Sequence, residues 1–97
     1  MAMTYTVETS IPEHILQAVL DEVERAKAKF PQWPTCIIQS AAIVGEESGE
    51  LIRAAIQCTY EGGNESDCQK EAIQTACTAF RFLEAVESNK HIYLKTY

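Results

Sequence analysis

The segment from 37 to 56 constrains this chain more than any other. Ile37, Ile38, Ala41, Ala42, Ile43 and Val44 lead into its centre, and Leu51, Ile52, Ala54, Ala55 and Ile56 follow. An apolar run this long without proline reads as a helix. Yet its centre carries three carboxylates within five residues, Glu46, Glu47 and Glu50. A buried carboxylate without a partner is costly. These acids must face solvent, pair with cations, or hold a metal.

The flanking sequence predicts more helices. Ser10-Ile11-Pro12-Glu13 has the form of a capping box, with proline in the first turn. Ile11, Ile15, Val19 and Val23 form an apolar row, widened by Leu16, Leu20 and Ala26. Asp21, Glu22, Glu24, Arg25, Lys27 and Lys29 fall mostly on the outside. This predicts an amphipathic helix over about 11–29, ended by Pro31. Phe30-Pro31-Gln32-Trp33-Pro34 is a rigid connector. Trp33 is either a lid on the core or a wall on which a base packs. Thr35 is placed to cap a second helix over about 36–60, which Gly62-Gly63 stops. Ser66 or Asp67 is placed to cap a third helix, over about 67–88.

The expected fold is all-α: an antiparallel bundle of three main helices in one domain spanning 1–97, with a short arm (1–9) and a tail (90–97). A core of this size is small, so completion by self-association into a dimer or tetramer is expected.

Charge and cysteines narrow the partners. A net charge of −6 argues against a nucleic-acid polymer. It leaves room for a nucleotide that arrives with a divalent cation. Cys36, Cys58, Cys68 and Cys77 show no CxxC spacing, which argues against a zinc site. There is no signal-peptide pattern at the start and no apolar stretch as long as a membrane span. A cytoplasmic protein with free thiols is expected. His14 and His91 lie near the two ends of the helical region, and no Ser or Cys sits in a recognisable nucleophile motif.

Glu47 and Glu50 are three residues apart and share a helix face. Glu46 is turned roughly 100° from Glu47. Gly45 and Gly49 each weaken a helix by roughly 1 kcal/mol relative to Ala, which predicts close approach by a helix or a ligand. Glu71 and Gln74 repeat the three-residue spacing on the third helix, with Thr78 and Arg81 further along the same face. Antiparallel packing would bring Glu47, Glu50, Glu71 and Gln74 together. Hard oxygen ligands of this kind suit Mg²⁺ or Mn²⁺. The spacing is equally that of solvated helix faces. Arg81 either pairs with Glu84 or Glu50 or anchors a phosphate. Lys70 and Arg53 admit the same two roles.

Glu46-Glu47-Ser48-Gly49-Glu50-Leu51, a helix break, then Lys70-Glu71-Ala72-Ile73-Gln74 resembles the MazG-like, all-α nucleoside triphosphate pyrophosphohydrolase superfamily. That family carries ExxE, a spacer, then ExxD. Here 20 residues separate Glu50 from Glu71. The resemblance covers about 36–88, and Trp33-Pro34 and Arg81-Phe82-Leu83-Glu84 fit it. It implies metal-assisted cleavage of a nucleoside triphosphate to a monophosphate and pyrophosphate. By this likeness Glu47, Glu50 and Glu71 hold Mg²⁺, and Glu46 or Glu47 orients or deprotonates the attacking water. Gln74 stands where the family has Asp, so the expected cage has one charge fewer. A nucleotide binder without turnover, or a helical interaction module, is the alternative expectation.

Overall fold

The computed structural model describes residues 8–88. The first seven residues of the expected arm and the expected tail lie outside them. Three helices follow in order: α1 (Glu13–Lys29), α2 (Ile37–Tyr60) and α3 (Glu65–Glu87). The all-α, three-helix expectation is met.

The helix ends differ from the expected caps. Pro12 itself is the N-cap of α1, with no side-chain cap hydrogen bond. Ser10 lies outside the helix, so the expected capping box does not form. Cys36 rather than Thr35 precedes α2, and Asn64 rather than Ser66 or Asp67 precedes α3. Both lack side-chain caps. The start of α3 carries Glu65 and Asp67, whose charges favour a helix N-terminus. The stop after α2 is as expected. Gly62 takes φ 74°, a left-handed conformation that favours glycine.

α3 is the central element. It packs along α2 and also against α1, whereas α1 and α2 do not pack on each other. The result is an open arrangement with a cleft between the two outer helices. Its buried apolar residues are small: Val19 and Val23 from α1, Ala54 from α2, Cys77 and Ala85 from α3. Small side chains let the helix axes approach closely. The apolar row expected on α1 is buried only in its second half, at Val19 and Val23, since Ile11, Ile15 and the flanking Leu20 are exposed.

The inward row of α2 runs through Ser40, Ile43, Glu47, Leu51, Ala54 and Cys58, each buried or half-buried. This is a helical period of three to four residues. Ile38, Gly45, Gly49, Ile52, Ile56 and Tyr60 fall on the opposite face and are exposed. A Cβ added at Gly45 or Gly49 would meet nothing within 4 Å. No other element of the described chain makes the close approach expected at these glycines.

Candidate functional site

The geometry divides the expected quartet between two hollows. A cleft of about 280 Å³ lies between the outer helices and is lined by residues of all three helices and the connector. Glu47 and Gln74 line it, with Glu22, Arg25, Trp33, Thr78 and Arg81. A smaller hollow of about 140 Å³ lies nearer the α2–α3 turn. Glu50 and Glu71 line that one, with Arg53, Gln57, Asp67 and Lys70. The candidate substrate residues divide in the same way. Arg81 and Trp33 go with the cleft, and Arg53 and Lys70 with the smaller hollow.

Glu47 lines the cleft but not the smaller hollow, and it feels the charges of Glu50 and Glu71 that line the latter. It sits on the inward row of α2 and is half-buried, whereas Glu46 and Glu50 are exposed. Burial pushes its carboxyl above the ordinary range, and the charges of Glu71, Glu50 and Glu46 push it further. The antiparallel pairing therefore does bring Glu71 into the field of the α2 acids. Among the described residues, no three His, Cys, Asp or Glu side chains stand where they could hold a metal ion. The donor set suits a hard cation in kind, but the carboxylates are not drawn into a preformed cage.

Gln74 is turned to another partner. Its amide Nε2 donates to Glu22 Oε2 at 2.9 Å. Glu22 also accepts from Arg25, whose Nε lies 3.0 Å from Oε1, and pairs with the Arg25 guanidinium through Nη2. The Arg25 hydrogen bonds hold the Glu22 carboxyl below its ordinary range; burial opposes this and the Gln74 bond assists it. The Glu22 side chain is 14% exposed. Helical patterning in the sequence places Glu22 among the outer polar residues. Its position between Val19, Val23 and Ala26 on the inward row was the available signal.

The far wall of the cleft is a polar network. Trp33 Nε1 donates to Ser40 Oγ at 2.6 Å, and Ser40 is fully buried. Arg81 is 8% exposed. Its Nη2 donates to the Phe30 carbonyl at 2.7 Å, and its guanidinium lies 4.8 Å from the Trp33 ring centroid. A carbonyl and a ring face thus compensate this buried cation. The expected ion pair with Glu84 or Glu50 is not formed; Glu84 instead pairs with Lys27 at 3.0 Å. Trp33 is therefore a structural wall that also presents a face to the cleft. Ser40 went unremarked in the sequence because it reads as one polar residue in an apolar run. Its place in the 36, 40, 43, 47 register marks it as inward-facing.

No protein-family model matches this chain, and neither the curated proteins nor the solved structures yield a match.

Proposed function

We propose that this chain is a nucleotide pyrophosphohydrolase of the MazG-like type, working with Mg²⁺ or Mn²⁺ on a nucleoside triphosphate. The observation that carries the reading is Glu47: a half-buried carboxylate on the wall of the cleft, crowded by the charges of Glu71, Glu50 and Glu46. Such crowding is unfavourable in the bare chain and favourable once a cation or a proton arrives. Glu47, Glu50 and Glu71 do not form a cage in the bare chain and would have to close on the cation to hold it; bound there, it would supply charge neutralisation at the triphosphate and a more acidic water.

The remaining steps belong to the chain's own side chains. Trp33 offers a ring face to the base or sugar, and Arg81, already desolvated, offers its remaining donors to a phosphate. Arg53 and Lys70 attract the anionic end of the ligand into the smaller hollow. A water oxygen bonds to the α-phosphorus, the bond to the α–β bridging oxygen breaks, and pyrophosphate leaves. The water's proton passes to Glu47, with Glu46 one residue away as the other candidate. A carboxylate raised above its ordinary range is a better proton acceptor.

The outer face of α2 supports self-association. Ile38, Ile52, Ile56 and Tyr60, with Gly45 and Gly49 between them, form an exposed apolar face along the helix. A second copy seated there would bury it, giving a homodimer or, by repetition, a tetramer. Ile52→Asp should then shift the sedimentation coefficient towards the monomer without loss of helicity. An unchanged coefficient would remove this face as the interface.

Incubation with a panel of nucleoside triphosphates and Mg²⁺ or Mn²⁺ tests the reading. Monophosphate and pyrophosphate are the expected products. Tight nucleotide binding without release would instead favour a binder that does not turn its ligand over. That second reading rests on Gln74, whose amide is engaged by Glu22. If neither nucleotide nor metal binds, the acids are surface charge on a helical interaction module.

A further inference from the structure

The exposed face of α2 has a period of its own. Ile38, Ala42, Gly45, Gly49, Ile52 and Ile56 recur at alternating steps of four and three, and all are exposed. That is the heptad spacing of a helix–helix seam, a mean of about 3.5 residues. The row lies opposite Ser40, Glu47 and Ala54 on the inward row, so α3 leaves it clear. A Cβ at Gly45 or Gly49 would meet nothing within 4 Å. Packing inside the described chain therefore does not account for two glycines in mid-helix, where glycine is unfavourable. Glu46 and Arg53 flank the row on one side, and Ser48 and Ala55 on the other. Glu46 and Arg53 are exposed, and among the described residues neither has an ion pair.

We propose that a second copy of this chain docks on this row with its α2 antiparallel, in the register that seats the isoleucines of each copy on the glycines of the other. A two-fold axis then passes between positions 50 and 51. Ile52 sits over the partner's Gly49 and Ile56 over the partner's Gly45, and the converse follows by symmetry. Such an axis brings each flank of the seam against the same flank of the other copy. Glu46 therefore meets the partner's Arg53, and Arg53 meets the partner's Glu46. On the other flank Ser48 meets the partner's Ala55, and these small side chains let the helix axes approach closely. Shape and charge are complementary in the same register.

The alternatives are each penalised. A shift of one heptad one way sets Glu46 against the partner's Glu46 and glycine on glycine. A shift the other way sets Arg53 against the partner's Arg53 and isoleucine on isoleucine. Like charges face each other in both. Parallel packing stacks glycine on glycine at two layers, which leaves voids, and sets Glu46 and Arg53 against the partner's Ala41 and Ser48. The inference rests on the self-association reading above and commits it to one antiparallel dimer. It also bears on the site. Arg53 lines the smaller hollow, so the partner's Glu46 stands at its rim and each copy completes the hollow of the other. With Glu46 held in that pair, Glu47 is left as the proton acceptor.

Sedimentation equilibrium of the 97-residue chain, of two charge variants and of their mixture tests this. The wild type should be a dimer. Glu46→Arg and Arg53→Glu each set like charges across the seam twice, and each should weaken dimerisation at least about tenfold. Mixing the two variants makes both pairs complementary again, so the mixture should form a heterodimer as tight as the wild-type dimer. The double variant should recover on its own. Gly49→Leu should raise the melting temperature of the dilute chain, because glycine disfavours helix, yet weaken the dimer. A monomeric wild type would overturn this proposal and the self-association reading together. A dimer that either charge variant leaves unchanged, that mixing does not restore, or that Gly49→Leu tightens would overturn the proposed register while self-association itself stands.

Discussion

The cleft and the smaller hollow are built by opposite means. In the cleft, the buried polar groups and Gln74 have specific partners: Ser40 has Trp33, Thr78 has the Thr75 carbonyl, Arg81 has the Phe30 carbonyl and the Trp33 ring, and Gln74 has Glu22. In the smaller hollow, Glu50, Arg53, Asp67 and Lys70 are exposed, and only Glu71 among the charged residues is half-buried. Among the described residues, no ion pair joins them. Buried polar groups must be satisfied within the protein, whereas exposed ones can be satisfied by water. The cleft is therefore fixed in shape and the smaller hollow is adjustable. A ligand would meet a preformed surface in the cleft and a set of charges free to rearrange in the smaller hollow.

The largest effect that would break this comparison comes from Glu47 itself. Glu47→Gln should lower turnover by at least about a hundredfold, as loss of a general base does. The same change should raise the melting temperature of the metal-free chain. The sign follows from linkage. The folded chain holds the Glu47 proton more tightly than the unfolded chain, so this group's contribution falls as pH rises through the window above the ordinary value of 4.5. Glu22 acts the other way. Its contribution is present above 4.5 and is lost as pH falls through its lowered folded value. Urea melts of wild type and Glu47→Gln across the acid range check both. A variant no more stable than wild type at neutral pH would mean that the acid crowding is already relieved.

Next in size is the contrast between a charge with fixed partners and one that no ion pair holds. Arg81→Met should destabilise the fold by about 2 kcal/mol, the scale of a lost charge-assisted hydrogen bond with a stacked cation. Glu71→Gln should change stability by less than about 0.5 kcal/mol, as for a substitution without a fixed partner, yet abolish metal-dependent turnover. Chemical denaturation together with the pyrophosphate assay measures both. Equal stability losses would erase the distinction between a fixed and an adjustable side.

Most of the fold was legible in the sequence because helical period, the connector prolines and the paired glycines act locally. Gly62 needs only its own φ to end α2, so its role could be read directly. The caps were less legible. Ser10, Thr35 and Ser66 fit capping rules in isolation, but α1 and α2 start one or more residues beyond the first two and α3 starts ahead of Ser66. Glu47 and Glu71 were found by spacing, because an acid in an apolar run is conspicuous. Glu22 and Ser40 were missed for the opposite reason. Glu22 is an acid among acids, and its inward turn depends on where α3 lies. The division of the quartet is a register effect between α2 and α3. Residues from 47 to 50 and from 71 to 74 cover one turn each, and spacing on either helix does not determine how two separate helices align.

The smallest expected effect tests that register most directly. Gln74→Asp restores the acid that the resemblance calls for, and it sets a shorter, charged side chain facing Glu22. The donor that now serves Glu22 is lost and two carboxylates then confront each other. In the metal-free chain this should cost about 1 kcal/mol, the scale of one hydrogen bond replaced by a repulsion. If Gln74 also belongs to the ligand set, the same variant gains metal affinity, and added Mg²⁺ should restore the lost stability. Denaturant midpoints of wild type and variant, with and without Mg²⁺, separate the two roles. Recovery with Mg²⁺ in the variant alone would show that the cleft and the smaller hollow can act as one site. A loss that Mg²⁺ leaves unchanged would assign Gln74 to the Glu22 contact alone and confine any cation to Glu47, Glu50 and Glu71.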